Sequence, residues 1–244
     1  RLSGRSARAY GKVAALARPA FSALSAVAAQ TPGDAQRIAR LGAGNVTVCG
    51  NLKFDVMPAP ERIALGKSWR AALGGRQVWL AASTREGEEA LVLEAWRGIA
   101  APHALLVLVP RHPQRFAEVA AQLTRLGIAF VRRSDGLPGP ETRVWLGDSM
   151  GEMAAYYTLA DIAFIGGSLL PLGGQNLIEA AACGCPAVVG PHTYNFEQAT
   201  ADAIAAGAAV RVPDAAGLAA TISRALDDAG ELGKMRAAAS SFAA

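Results

Sequence analysis

The stretch that decides the fold is Asp161–Glu197, DIAFIGGSLLPLGGQNLIEAAACGCPAVVGPHTYNFE. Asp161 to Ile165 reads as a strand, nearly continuous in apolar residues, the pattern of burial on both faces. Gly166-Gly167-Ser168 follows at once, then Pro171 and a second pair, Gly173-Gly174. Glycines in such a place let backbone approach a ligand and adopt positive φ. Gln175 to Ala182 reads as a helix whose start favours a phosphate or carboxylate. Glu179, one turn into it, is placed to accept both hydroxyls of a ribose. Ala187–Val189 reads as the next strand, and Phe196–Ala206 as a helix with Asn195 as its cap. Glycine pairs mark turns in any protein, but two pairs, a helix start and a following Glu together point to a nucleotide site. Tyr194 and Phe196 fit either closure over a ligand or plain packing.

The same alternation runs outward from this segment. Strands are read at Gln77–Ala82, Ala104–Val109, Ile128–Val131, Arg143–Leu146 and Ala209–Val212. Helices are read at Glu86–Ile99, Pro113–Leu126, Gly151–Leu159, Ala215–Asp228 and Lys234–Phe242. Apolar strands alternating with helices make a parallel sheet covered on both faces, a Rossmann-like doubly wound α/β domain. Upstream, Ser3–Leu24 reads as a helix kinked at Pro19. Ala26–Gln30 reads as a short strand, Thr31-Pro32 as a helix start and Val46–Cys49 as a strand. Gly50 to Pro60 has linker character. It divides residues 1–48, the tail of one domain, from residues 49–244, a complete one.

Composition narrows the class. Of 244 residues, 52% are hydrophobic and 18% charged, enough for a core and too apolar for wholesale disorder. No stretch reaches the roughly 20 uninterrupted apolar residues of a spanning helix. A net charge of +4 is too mild to argue for nucleic acid. Arg1, Arg5, Arg8, Lys12 and Arg18 all precede the first acid, Asp34. They form either a solvated helix face or a surface for anionic lipid or substrate. Cys49, Cys183 and Cys185 make no disulfide framework, and three scattered His make no metal set. The chain opens at Arg1 rather than Met, in what reads as mid-helix, so a longer N-terminal portion is expected.

In a doubly wound sheet, ligands bind at the carboxyl ends of strands. After the first long strand come Ser83, Thr84, Arg85 and Glu86. Ser83 and Glu86 have capping-box spacing, and Arg85 fits an anion beside the helix start. After the second come Arg111, His112 and Pro113, with Arg111 and His112 projecting over the cleft. Arg111 suits a phosphate through its planar fork, while Arg115 reads as a solvated helix charge. After the Arg143–Leu146 strand, Gly147, Asp148, Ser149, Met150, Gly151 and Glu152 either cap the next helix or border a nucleobase.

At these residues the chain resembles the 3-deoxy-D-manno-octulosonic acid (Kdo) transferases. The resemblance is carried by GNLKFD (50–55), STREGEE (83–89), VPRHPQRF (109–116), GDSMGEM (147–153) and residues 164–197, in the family's order. It implies a GT-B glycosyltransferase with CMP-Kdo as donor, lipid A precursor as acceptor and no cofactor or metal. It places the protein at the cytoplasmic face of the bacterial inner membrane, held there through the missing N-terminal part. By the resemblance, Arg111 contacts donor phosphate or carboxylate, and Ser83, Thr84, Arg85, His112 and Pro113 belong to the same site. Gly173 and Gly174 approach the sugar nucleotide, Asn176 orients it and Glu179 holds the ribose. Gly147, Met150, Gly151 and Glu152 frame cytosine, and Lys53 faces the cleft. Gln175 stands where the family often has His, so it is given no acid–base role. The family's catalytic carboxylate belongs to the early N-terminal domain, so no catalytic residue is assigned in this chain. Two other readings stay open: a UDP-sugar-dependent GT-B transferase or epimerase, and a non-catalytic nucleotide-binding module.

Overall fold

A computed structural model describes residues 2–49 and 57–243. Lys53 falls outside them. The chain divides into two compact units, Arg1–Val56 and Met57–Ala244.

The first unit holds α1 (Gly4–Lys12), α2 (Ala14–Ser22), β1 (Val27–Ala29), α3 (Pro32–Arg40) and β2 (Val46–Val48). β1 and β2 pair in parallel around α3, over a small core of Leu2, Ala29, Ile38, Leu41 and Ala43. Thr31 caps α3 by accepting the Asp34 N–H at 3.1 Å, with Pro32 at the first helical position. The single helix read over Ser3–Leu24 is two helices, and the break lies at Val13 rather than Pro19. A proline's clash falls on the carbonyl of residue i−4, here Ala15, which lies inside the second helix and not at the break. The chain yields at Val13 (φ −119°, ψ 41°), and Pro19 sits inside the second helix.

The second unit runs α4 (Pro60–Ala72), β3 (Val78–Thr84), α5 (Glu88–Gly98), β4 (Leu105–Pro110), α6 (Gln114–Arg125) and β5 (Phe130–Arg132). It continues through β6 (Val144–Leu146), α7 (Met153–Leu159), β7 (Ile162–Ile165), α8 (Ile178–Ala182) and β8 (Ala187–Val189). It closes with α9 (Glu197–Ala205), β9 (Ala209–Arg211), α10 (Ala215–Asp227) and α11 (Ala229–Phe242). The seven strands form one parallel sheet in the order β5-β6-β4-β3-β7-β8-β9. Successive side chains of a strand point to opposite faces. Trp79 and Ala81 therefore join one core with α5, α6 and α10, while Val78, Leu80 and Ala82 join another with α4, α7 and α8.

Helix α4 was not legible in the sequence, because the prolines around it read as linker. Pro60 in fact occupies its first turn, where no N–H is needed. Trp69 then drives it inward, 4% exposed and edge-on to Trp145 at 5.1 Å between ring centroids. Gly66 lets α4 lie directly on α7, since a Cβ there would stand 2.4 Å from the Ala155 carbonyl oxygen.

Several helix starts also differ from expectation. α5 begins at Glu88, behind Gly87 at φ 87°, and the expected Ser83–Glu86 capping box does not form. Ser83 instead takes φ 55°. α8 begins at Ile178, three residues later than read, because Gln175 is drawn back by hydrogen bonding to Gly166. α11 begins earlier, at Ala229, because the Asp228 carboxylate caps it through Gly230 and Glu231 N–H.

Candidate functional site

Chain order reverses between β3 and β7: β4 to β6 lie on one side of β3, and β7 to β9 on the other. This is the topological switch point, where a crevice opens at the carboxyl ends of the strands. Its floor is glycine by necessity. A Cβ on Gly166 would meet the Ser83 carbonyl oxygen at 2.4 Å, and one on Gly190 would meet the Ser168 carbonyl oxygen at 2.2 Å.

The two glycine pairs fold onto each other. Gly174 N–H donates to the Gly167 carbonyl at 2.6 Å and Gln175 N–H to the Gly166 carbonyl at 3.0 Å. These amides are engaged within the loop, and α8 starts only at Ile178, so the expected helix-start anion site beside Gly174 is not formed. Asn176 Oδ1 accepts Ile178 N–H at 3.1 Å. The loop after β8 covers this turn. Tyr194 donates its hydroxyl to the Pro171 carbonyl at 2.8 Å, and Asn195 Nδ2 reaches the Leu172 carbonyl at 3.2 Å. Asn195 therefore packs on the glycine turn, and α9 starts behind Phe196 without a side-chain cap.

Arg111 and Glu179, separated widely in sequence, come together electrostatically. Burial raises the Glu179 pKa above its ordinary 4.5, and the positive charge of Arg111 opposes the rise. Tyr157, fully buried on α7, senses the same two charges, with burial the main cause of its own strong upward shift. Among the described residues the Arg111 guanidinium makes no hydrogen bond or ion pair. Arg111 N–H is fixed to the Thr84 carbonyl at 2.9 Å, which ties the ends of β3 and β4.

His112 goes elsewhere. With Arg85, Glu86, Gln114, Arg115 and Glu118 it lines a cavity of about 230 Å³ between the starts of α5 and α6. The structure thus joins His112 to Arg85 in one cavity, and Arg111 is not among its lining residues. Arg115 is not a solvated helix charge. Its side chain is 17% exposed and bridges buried Glu89 at 2.9 Å and Glu118 at 2.6 Å. Burial raises the Glu89 pKa against Arg115 and against the Thr84 hydroxyl, which donates to it at 3.1 Å. Pro113 is exposed ahead of α6, and Thr84 is fully buried.

The Gly147–Glu152 loop is held from beneath. Gly147 is buried, and a Cβ there would lie 2.9 Å from the Tyr156 hydroxyl. Asp148 accepts from Ser134 N–H at 2.9 Å and from Ser134 Oγ at 2.7 Å, so neither it nor Ser149 caps α7. Ser149 Oγ donates to Glu152 at 2.6 Å. The Glu152 carboxylate also pairs with Arg133 at 3.3 Å and Arg62 at 3.6 Å. That leaves the exposed Met150 and Gly151, the latter at φ 72°, as the loop's outer surface. Arg133 lies over the Trp69 ring at 4.9 Å, part of a support that sequence reading did not single out. Burial pushes the Cys183 thiol up to about 12 and the Cys185 thiol higher still, which disfavours the thiolate at both. Among the described residues, no group of three or more His, Cys, Asp or Glu is arranged to hold a metal ion, and no helix is long and apolar enough to cross a membrane.

Glu179 gives a testable sign. Its folded pKa lies above 4.5, so at neutral pH its charge disfavours the folded state relative to the unfolded one. Glu179→Gln is expected to raise the thermal midpoint at pH 7. The gain should vanish as the pH falls below the unfolded-state value, where both states carry the proton. A lower midpoint at pH 7 in the variant would contradict this.

The family model described as 3-Deoxy-D-manno-octulosonic-acid transferase (kdotransferase) matches residues 1–56, and that of Glycosyl transferases group 1 matches residues 137–242. The chain is 50% identical over 222 residues to the 3-deoxy-D-manno-octulosonic acid transferase of Bordetella pertussis, covering 88% of this chain and 52% of the relative. It is 42% identical over 207 residues to that of Haemophilus influenzae, covering 81% of this chain and 48% of the relative. The chain thus spans about half the length of these relatives. The crystal structure of the C-terminal CMP-Kdo binding domain of WaaA from Acinetobacter baumannii aligns with a TM-score of 0.68 at 32% identity, over 79% of this chain and 98% of that one. Anabaena HepE in complex with UDP-glucose aligns at a TM-score of 0.56 and 17% identity, over 95% of this chain and 62% of that one, a likeness of fold alone. The sheet, the switch-point crevice and these matches agree: the fold is of GT-B type, and the chain belongs to the 3-deoxy-D-manno-octulosonic acid transferase family.

Proposed function

We propose that residues 57–244 bind CMP-Kdo, and that the whole protein transfers Kdo from it to lipid A precursor in lipopolysaccharide synthesis. The observation that carries the reading is the switch point between β3 and β7 in a domain similar to a CMP-Kdo binding domain, with Arg111 following β4 and Glu179 near the start of α8, where the charge of one acts on the other. Arg111 is a cation without an ion pair among the described residues, suited to a phosphate or carboxylate. Glu179 is a carboxylate suited to the paired hydroxyls of a ribose. The Gly147–Gly151 loop, with Met150 outermost, borders the cytosine. Arg85 and His112 serve anionic groups at the neighbouring cavity, with Ser83, Thr84 and Pro113 shaping the strand ends. Gly173, Gly174 and Asn176 fix the turn that carries Glu179, and Lys53 is assigned to the cleft by the resemblance.

In the reaction, an acceptor sugar hydroxyl attacks the anomeric carbon of Kdo, the glycosidic oxygen–carbon bond breaks and CMP leaves with the electron pair. Arg111 stabilises the charge that develops on the leaving phosphate. The base that takes the hydroxyl proton is assigned to the part of the relatives' length that this chain does not span. Residues 1–48 are read as the tail of the acceptor domain, and the protein as working at the cytoplasmic face of the inner membrane.

Titration calorimetry of this chain with CMP, CDP and UDP tests the donor assignment. CMP is expected to bind best, and a preference for UDP would overturn it. Loss of a hydrogen bond to a charged group costs about 1.5–3 kcal/mol. Arg111→Ala should therefore weaken CMP binding roughly 10- to 100-fold. Unchanged affinity would remove Arg111 from the site.

A further inference from the structure

We propose that Glu88 is a positioning residue of the donor site, a resident carboxylate that fills the backbone nest of the Gly166–Leu169 turn. The inference rests on the donor reading above. Glu88 is the first residue of α5 and is fully buried. Its Oε1 accepts the N–H groups of Ser168 at 3.0 Å and Leu169 at 3.1 Å. Its Oε2 accepts those of Arg85 at 3.0 Å and of Gly167. Successive backbone N–H groups around a glycine at positive φ, here Gly167 at 70°, form a concavity that binds anions. In this protein the anion is built in.

Two consequences follow from that occupancy. A ligand phosphate cannot enter the nest, so the negative groups of a donor must be met by side chains, Arg111 and Arg85 foremost. The carboxylate also joins the loop after β3 to the loop after β7 across the switch point. From there a hydrogen-bonded chain continues. Gly166 and Gly167 carbonyls accept Gln175 and Gly174 N–H, and Asn176 Oδ1 accepts Ile178 N–H at the head of α8, which carries Glu179. Glu88 acts on the donor through this turn and touches no reacting atom. The Ser168 hydroxyl extends the same scaffold to β8 by accepting Gly190 N–H at 2.8 Å.

The isosteric Glu88→Gln variant separates positioning from packing. It keeps the volume but turns one acceptor oxygen into an N–H₂ donor facing N–H groups. Calorimetry with CMP on the 244-residue chain, at a temperature where both proteins are folded, is expected to show binding at least tenfold weaker. Hydrogen exchange should quicken across residues 166–178 and stay unchanged in α10. Asp161→Asn, at the opposite ends of the same strands, is the control: it should lower the unfolding temperature and leave the CMP dissociation constant within twofold. Glu88→Gln with a dissociation constant within twofold of wild type, or with unchanged exchange across 166–178, would overturn the proposal. If Glu88→Gln does not fold, Glu88→Asp keeps the charge, withdraws it by one methylene and carries the same two readouts. Failure of the wild type to bind CMP would overturn the donor reading and this inference together. Normal wild-type binding with an indifferent variant overturns this inference alone.

Discussion

Replacing Asp161 with alanine is expected to destabilise residues 57–244 by about 3 kcal/mol, with a fall of roughly 6–12 °C in the thermal midpoint. Asp161 precedes β7, and its side chain is only 8% exposed. Oδ2 accepts Val78 N–H, at the head of β3, at 2.8 Å and Arg70 Nη1, on α4, at 3.0 Å. Oδ1 accepts Arg70 Nη2 at 3.1 Å and Arg236 Nη2, on α11, at 2.8 Å. One carboxylate thus ties two central strands to two helices. Truncating one partner of a buried ion pair costs about 3–5 kcal/mol. The low end applies because Arg70 and Arg236 remain 33% and 42% exposed and can rehydrate. The Val78 N–H cannot, since Val78 is fully buried. Circular dichroism melts of wild type and variant measure the difference. A shift under 2 °C would mean that this cluster contributes little.

Gly166→Ala is expected to cost about 3 kcal/mol, the upper part of the range for overpacking, and to weaken CMP binding more than tenfold. The new Cβ would lie 2.4 Å from the Ser83 carbonyl oxygen and 2.7 Å from Thr84 Cα. Both are backbone atoms of the neighbouring strand, so no side-chain rotation relieves the clash. The ends of β3 and β7 must part at the point where Glu88 joins their loops. Gly75→Ala is the contrast: it is exposed, with nothing within 4 Å of its Cβ, and should stay within about 0.5 kcal/mol of wild type. Thermal melts and CMP calorimetry on both variants make the comparison. Gly166→Ala with wild-type stability would show that the strands can separate freely at the switch point.

The strands were legible because burial on both faces leaves a continuous apolar run, as in Leu105–Val109, which a single sequence displays directly. Helix boundaries were less legible. At α5, Ser83 and Glu86 have the spacing of a capping box, yet Gly87 can adopt φ 87°, and the tertiary demand for Glu88 in the nest decides the start. At α8, the Gln175 N–H is claimed by the Gly166 carbonyl, so three residues that suit a helix remain a turn. α4 was hidden because prolines signal both a linker and a first helical turn, and only the burial of Trp69 separates the two.

By itself the sequence determined the alternating strand and helix order, the parallel sheet and the glycine-rich turn of Asp161–Glu197, because these depend on local periodicity and on φ preferences. It also carried the motifs that place the chain in its family. Only the tertiary structure decided which charges remain for a ligand. Arg111 and His112 are neighbours in sequence, yet His112 joins Arg85 in lining a cavity to which Arg111 does not belong, while the charge of Arg111 acts on Glu179. Arg115, Glu152 and Glu88 are equally charged in the sequence but are engaged within the fold. The physical reason is that a charge finds its partner through space: Glu88 meets Gly167 and Ser168 only once β3 and β7 lie side by side.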